Sequence, residues 1–151
     1  PYYLTHSTAV RCRVVNGRHR GFKVSPTAQE PIEPGATLFS GPLMMVAAGT
    51  VPFYGFELKM FPFAGRQRGF MHLRLGSLPP TAVLANLPGL WNGSWFPEGL
   101  SDFLVKEARI QFDAPMPLQV AGDAAGERQE IHLEMSSESI DLIDFGNGVR
   151  H

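Results

Sequence analysis

Val10-Arg11-Cys12-Arg13-Val14 alternates apolar and charged side chains with a period of two. A β-strand there places Val10, Cys12 and Val14 on one face and the two arginines on the other. Asn16-Gly17 follows at once. This dipeptide accepts positive φ angles and predicts a tight turn, with Arg18 to Val24 pairing back as a hairpin. The same period recurs downstream. Phe56, Leu58 and Met60 alternate with Glu57 and Lys59, and Met71, Leu73 and Leu75 alternate with His72 and Arg74, so both segments predict half-buried strands. Leu104 to Phe112 puts Ala108, Ile110 and Phe112 on one face, and further strands are expected over Pro117 to Ala121, Glu130 to Ser136 and Ser139 to Phe145.

Between these runs lie breakers. Sixteen Gly and thirteen Pro in 151 residues cut the chain into short pieces and leave little room for long helices. Ser25 to Gly35, with three prolines and two glutamates, reads as a surface connection. Thr37 to Ala48 is a mostly apolar run that predicts a buried strand, although Met44, Met45, Ala47 and Ala48 would also suit a helix. Thr81 to Leu87 is the one helical candidate, because two prolines precede it and Pro88-Gly89 ends it. Leu90 to Gly99, with Trp91, Trp95 and Phe96, reads as an aromatic loop. About nine short strands with turns every eight to twelve residues describe a mainly β chain. The expected fold is an antiparallel β-sandwich or flattened barrel with one short helix, as a single domain over residues 1–151.

Composition excludes several functions. A hydrophobic content of 44% supports one sizeable core. A formal net charge of −1 gives no overall basic field, so nucleic acid is not an expected partner. Arg11, Arg13, Arg18, His19, Arg20 and Lys23 cluster locally, as do Arg66 and Arg68; they read as solvated strand edges or as a surface attracted to anionic lipid headgroups. Cys12 stands alone between Val10 and Val14, which makes it a core residue and fits a cytoplasmic location. The apolar stretch from Leu38 to Val51 is interrupted by Gly and Pro and falls short of the roughly 18 residues needed to cross a bilayer, so membrane contact is expected to be peripheral at most. No histidine pair stands at metal-ligand spacing, no metal site is expected, and no Gly-x-Ser-x-Gly elbow marks a nucleophile. The start at Pro1 suggests a fragment or processed product.

Pro117-Leu118-Gln119-Val120-Ala121-Gly122-Asp123 sits between two strands and puts a carboxylate on a turn. Tyr54-Gly55-Phe56, Phe61-Pro62-Phe63-Ala64 and Arg68-Gly69-Phe70-Met71-His72-Leu73 precede it in that order. Together these segments, spread over Val10 to Phe145, resemble the second domain of the diacylglycerol kinase catalytic family, which includes bacterial lipid kinases and the sphingosine and ceramide kinases. That family has a Pro-x-Gln-x-Asp-Gly-Glu turn, a Tyr-Gly-Gly run, an apolar-Pro-x-Ala segment and an Asp-Gly-Leu-Leu-Asp-Val strand opening. The resemblance implies a β-sandwich that binds a lipid substrate and works with an upstream nucleotide-binding domain, which would bring ATP and Mg²⁺. It implies a catalytic role for Asp123 and substrate-binding roles for Tyr54, Gly55, Arg68 and Gly122. The departures fall on functional positions: Ala121 replaces the first Asp of the turn, Asp123 the Glu, and Arg68 another Asp. The chain carries no Gly-Gly-Asp-Gly-Thr loop and no Walker-type loop, so this domain alone is expected to hold no ATP and to be inactive. A non-catalytic module that holds a lipid or other amphiphile is the alternative.

Overall fold

The computed structural model describes residues 9–138. Within them, β1 (Val10–Asn16), β4 (Thr37–Leu43), β8 (Glu107–Val120) and β9 (Asp123–Glu134) form one antiparallel sheet in the order β4-β1-β8-β9. A second antiparallel sheet has the order β3-β2-β7-β6-β5, from β2 (Gly21–Val24), β3 (Gln29–Ile32), β5 (Met45–Gly49), β6 (Met71–Gly76) and β7 (Leu100–Val105). Cys12, Val14, Leu43, Ala108, Ile110 and Phe112 from the first sheet meet Met71, Leu73, Leu75, Phe103 and Val105 from the second in one buried cluster. The sheets therefore face each other as a β-sandwich, and the barrel alternative fails because they do not close. Cys12 lies in this core as expected. Burial, then the charge of Asp113, raises its thiol pKa to about 11, so it stays protonated at neutral pH.

Several boundaries differ from the sequence reading. β1 and β2 do not pair: Asn16-Gly17 carries the chain from one sheet to the other, and β1 lies between β4 and β8. Gly17 is needed for close approach, since a Cβ there would stand 2.4 Å from the Glu107 Cβ. Residues 25–35 include the edge strand β3, whose Pro31 is tolerated because one of its sides has no partner strand. The apolar run from Thr37 to Ala48 is neither one strand nor a helix; it breaks at Met44, so β4 and β5 belong to different sheets. Leu104 to Phe112 likewise breaks at Lys106, where the chain crosses from β7 to β8. The strands expected over Pro117–Ala121 and Glu130–Ser136 belong to the much longer β8 and β9.

Two short helices occur where one was expected. α1 (Pro80–Ala85) begins on a proline, and α2 (Leu87–Trp91) has Pro88 in its own first turn. Pro88 therefore starts a helix instead of ending one, because a first-turn residue needs no backbone donor. Residues 56–60 form no strand. The strand expected over Ser139 to Phe145 lies outside the described residues. No helix among the described residues is long and apolar enough to cross a membrane.

Candidate functional site

β8 pairs with β1 only from Ala108 to Phe112, so beyond that point β8 and β9 continue as a two-stranded ribbon. Its tip is Ala121-Gly122, with φ angles of 52° and 95°, between the paired residues Val120 and Asp123. Two successive positive φ angles match the right-handed twist of a hairpin, which is why Gly occupies the second position. Asp123 opens β9 and is exposed. Gln119 locks the tip, its Nε2 donating to the Gly122 carbonyl at 2.7 Å.

Tyr54 reaches the same place from the other sheet. Its hydroxyl donates to Gln119 Oε1 at 2.9 Å. The segment that carries it is held by a small turn in which Leu58 N–H donates to the Gly55 carbonyl at 2.8 Å and Tyr54 N–H to the Leu58 carbonyl at 2.9 Å. Phe56 and Glu57, the two central residues of that turn, have φ angles of 47° and 62°. This left-handed turn explains the missing strand, and it is strained because neither residue is Gly. It leaves the Phe56 side chain 94% exposed. Phe53, Phe56 and Lys59 line one side of an apolar groove of about 660 Å³, and Trp91 of α2 lines the other. Lys59 N–H donates to the Trp91 carbonyl at 2.9 Å and fixes the two sides together. The structure thus gathers Tyr54, Gly55 and Gly122, with Asp123 next in sequence. Arg68 is exposed in the approach to β6, and no hydrogen bond or ion pair among the described residues connects it to this group.

A further cluster lies beneath residues 50–70, on the outer face of the five-stranded sheet. Arg74 and Asp102 stand opposite each other on β6 and β7. Arg74 donates through Nε to Asp102 Oδ1 at 2.7 Å and through a terminal nitrogen to Oδ2 at 3.0 Å. His72 Nε2 lies 2.8 Å from Oδ1, and because an ionised carboxylate only accepts, Nε2 carries the hydrogen. All three residues are buried. Burial by itself would raise the Asp102 pKa, but hydrogen bonds from His72 and Arg74 and the charge of Arg74 outweigh it and hold the carboxyl below its ordinary range.

Aromatic rings cover the cluster. Phe61 and Phe63 lie 5.8 and 5.4 Å from the His72 ring, and Phe96 stacks on Phe63 at 5.3 Å. Gly49 allows the approach, since a Cβ there would stand 2.5 Å from the Phe61 ring. His72 and Arg74 alternate with core residues and so read as a solvated strand face. The overlooked signal was Phe61 and Phe63, apolar residues that lie outside every predicted strand.

The ATP and Mg²⁺ implied by the resemblance can be tested against these donors. Among the described residues no three His, Cys, Asp or Glu side chains gather as metal ligands, and Asp123 and Ala121 together offer one carboxylate. This donor set does not fit Mg²⁺-ATP by itself. No family model matches the chain and no curated protein matches it, so the geometry and the motifs carry the functional argument.

Proposed function

We propose that this chain is the substrate-binding domain of a diacylglycerol kinase-like lipid kinase, in which a separate upstream lobe binds the nucleotide. The hydrogen-bond relay from Tyr54 through Gln119 to Gly122 is the observation that carries this reading. It joins the aromatic-Gly segment and the Pro-x-Gln turn, Tyr54 and Gln119 being 65 residues apart in sequence, and Phe53 and Gly55 on either side of Tyr54 line an apolar groove. Acyl chains suit a groove lined by Phe53, Phe56 and Trp91. The lipid hydroxyl would then face the turn, where the Asp123 carboxylate would accept its proton, while the nucleotide held by the separate lobe would supply the phosphoryl group and depart as the diphosphate. Ala121 has no group that could take that proton. Phosphoryl transfer depends mainly on positioning, with a base contributing roughly 10²- to 10⁴-fold.

In a chain that also carries the nucleotide lobe, Asp123→Ala is expected to lower lipid phosphorylation by about 10²-fold or more, and Ala121→Asp to raise it. Unchanged turnover in Asp123→Ala rules out the catalytic role. A second reading, a non-catalytic amphiphile-binding module, is favoured by the lone carboxylate at the tip. It predicts lipid retained on the domain in native mass spectrometry with no phosphorylation by either variant or wild type.

A further inference from the structure

The outer face of the four-stranded sheet carries a second concavity, of about 520 Å³, on the sheet opposite the one that residues 50–70 cover. Arg11 and Arg13 of β1 line it, together with Ser40, Gln111, Gln129 and Asp113. The strand register shows why these groups converge: Arg13 stands opposite Ser40 on β4 and opposite Gln111 on β8. Cross-strand neighbours of an exposed arginine are stabilising when they are carboxylates. Here both are neutral hydrogen-bonding groups. Among the described residues neither Arg11 nor Arg13 forms an ion pair, and the only side-chain hydrogen bond of either is a long one from Arg13 to Thr37 Oγ1 at 3.4 Å. The Gln129 amide is held near the Asp113 carbonyl at 3.4 Å. The pocket therefore presents two guanidinium forks, two amides and a hydroxyl, set against the single carboxylate of Asp113.

From this arrangement we infer that the pocket binds a phosphate monoester that also bears a hydroxyl group. Guanidinium forks match the paired oxygens of a phosphate, and the amides and the serine hydroxyl can donate to the third. Asp113 accepts from the ligand's hydroxyl, which makes the site selective for a phosphoester over bare phosphate. A soluble polyol phosphate and a phosphorylated lipid headgroup share this chemistry. The site is independent of the lipid-kinase reading, because it uses none of the residues near Tyr54 or Gly122.

Calorimetric titration of the chain with sodium phosphate and with glycerol 3-phosphate tests the inference, alongside flotation with phosphatidylcholine vesicles with and without phosphatidylinositol 4-phosphate, whose headgroup is a phosphate monoester with free hydroxyls. Saturable binding is expected, tighter for glycerol 3-phosphate than for phosphate. Arg13→Gln and Arg11→Gln should each weaken it about tenfold or more, and Arg13→Lys less, since charge survives but the fork does not. Asp113→Asn should reduce the preference for the glycerol ester. Arg109→Gln removes the same charge from the same face outside the pocket and should change affinity less than about twofold. Binding to phosphatidylinositol 4-phosphate vesicles alone, abolished by Arg13→Gln, supports the site and assigns its ligand to the lipid. Absence of saturable binding to all three probes overturns the inference. So does an equal loss in the Arg11, Arg13 and Arg109 variants, which would reduce it to a general field. Circular dichroism of these exposed-residue variants should show the wild-type fold.

Discussion

Glu57 and Ala121 hold φ angles of 62° and 52°, in a region that costs a non-glycine L-residue roughly 1–2 kcal/mol. Both sit in the turns that form the candidate site. Strain there is tolerated because the relay through Gln119 and the hydrogen bonds of the Gly55–Leu58 turn fix the backbone from outside. Glu57→Gly should therefore raise stability in urea denaturation by up to about 1 kcal/mol, and a lower midpoint would show that the Glu57 side chain makes a compensating contact. A buried charge behaves in the opposite way. Among the described residues Asp102 is the only carboxylate hydrogen-bonded to His72 and Arg74, and its removal leaves a buried guanidinium unpaired. Asp102→Asn should cost about 3–5 kcal/mol. A loss below 1 kcal/mol in the same assay would mean that water reaches Arg74.

At the scale of elements, the period-two pattern located β1, β6 and the inner face of β8 correctly, because each buries one face against the same core. What it could not reveal was which strand pairs with which. Asn16-Gly17 has the composition of a hairpin turn, yet Gly17 is demanded by Glu107, 90 residues away in sequence, and the chain crosses between sheets there. The break at Lys106 has no Gly or Pro beside it, and at Met44 the nearby Gly41-Pro42 lie inside β4 and do not mark its end, since a strand that changes sheet stays extended. Residues 50–70 failed for another reason: Phe61 and Phe63 bury their rings against His72, a tertiary contact that local periodicity does not encode. That docking is testable. Gly49→Ala would drive a Cβ into the Phe61 ring and should destabilise by about 1–3 kcal/mol. Adding Phe61→Ala should make the pair of changes less costly than their sum. Strict additivity in this double-mutant cycle would show that Phe61 does not seat on Gly49.

Across the whole molecule, the sequence motifs named Tyr54, Gly55, Arg68, Gly122 and Asp123 as one site, and the relay through Gln119 joins the turn to Tyr54; among the described residues no hydrogen bond or ion pair links Arg68 to it, and neighbouring Arg66 donates instead to the Ser25 carbonyl. Glu107, directly after the crossover from β7 to β8, ties the other crossover, at Arg18, to His132 of β9. Its side chain is 1% exposed, but its lid is shallow, consisting of Arg18 and His132 at the surface. The Arg18 backbone N–H, then the Arg18 side chain, then His132 hydrogen-bond its carboxylate and lower its pKa from 4.5 to about 2. Asp102 is depressed as well. A carboxyl with a lower pKa folded than unfolded binds fewer protons in the native state between those two values. Its stabilisation is complete above the unfolded value and disappears as pH falls through the folded one. Stability measured by urea denaturation should therefore be steady above about pH 4.5 and fall continuously toward pH 2. Glu107→Gln should start lower at neutral pH, because Arg18 and His132 lose their charged partner, and should show a shallower fall over the same interval. A wild-type curve that stays level or rises on acidification would mean that neither carboxylate is held by these partners, and that the crossover from β7 to β8 is secured by apolar packing alone.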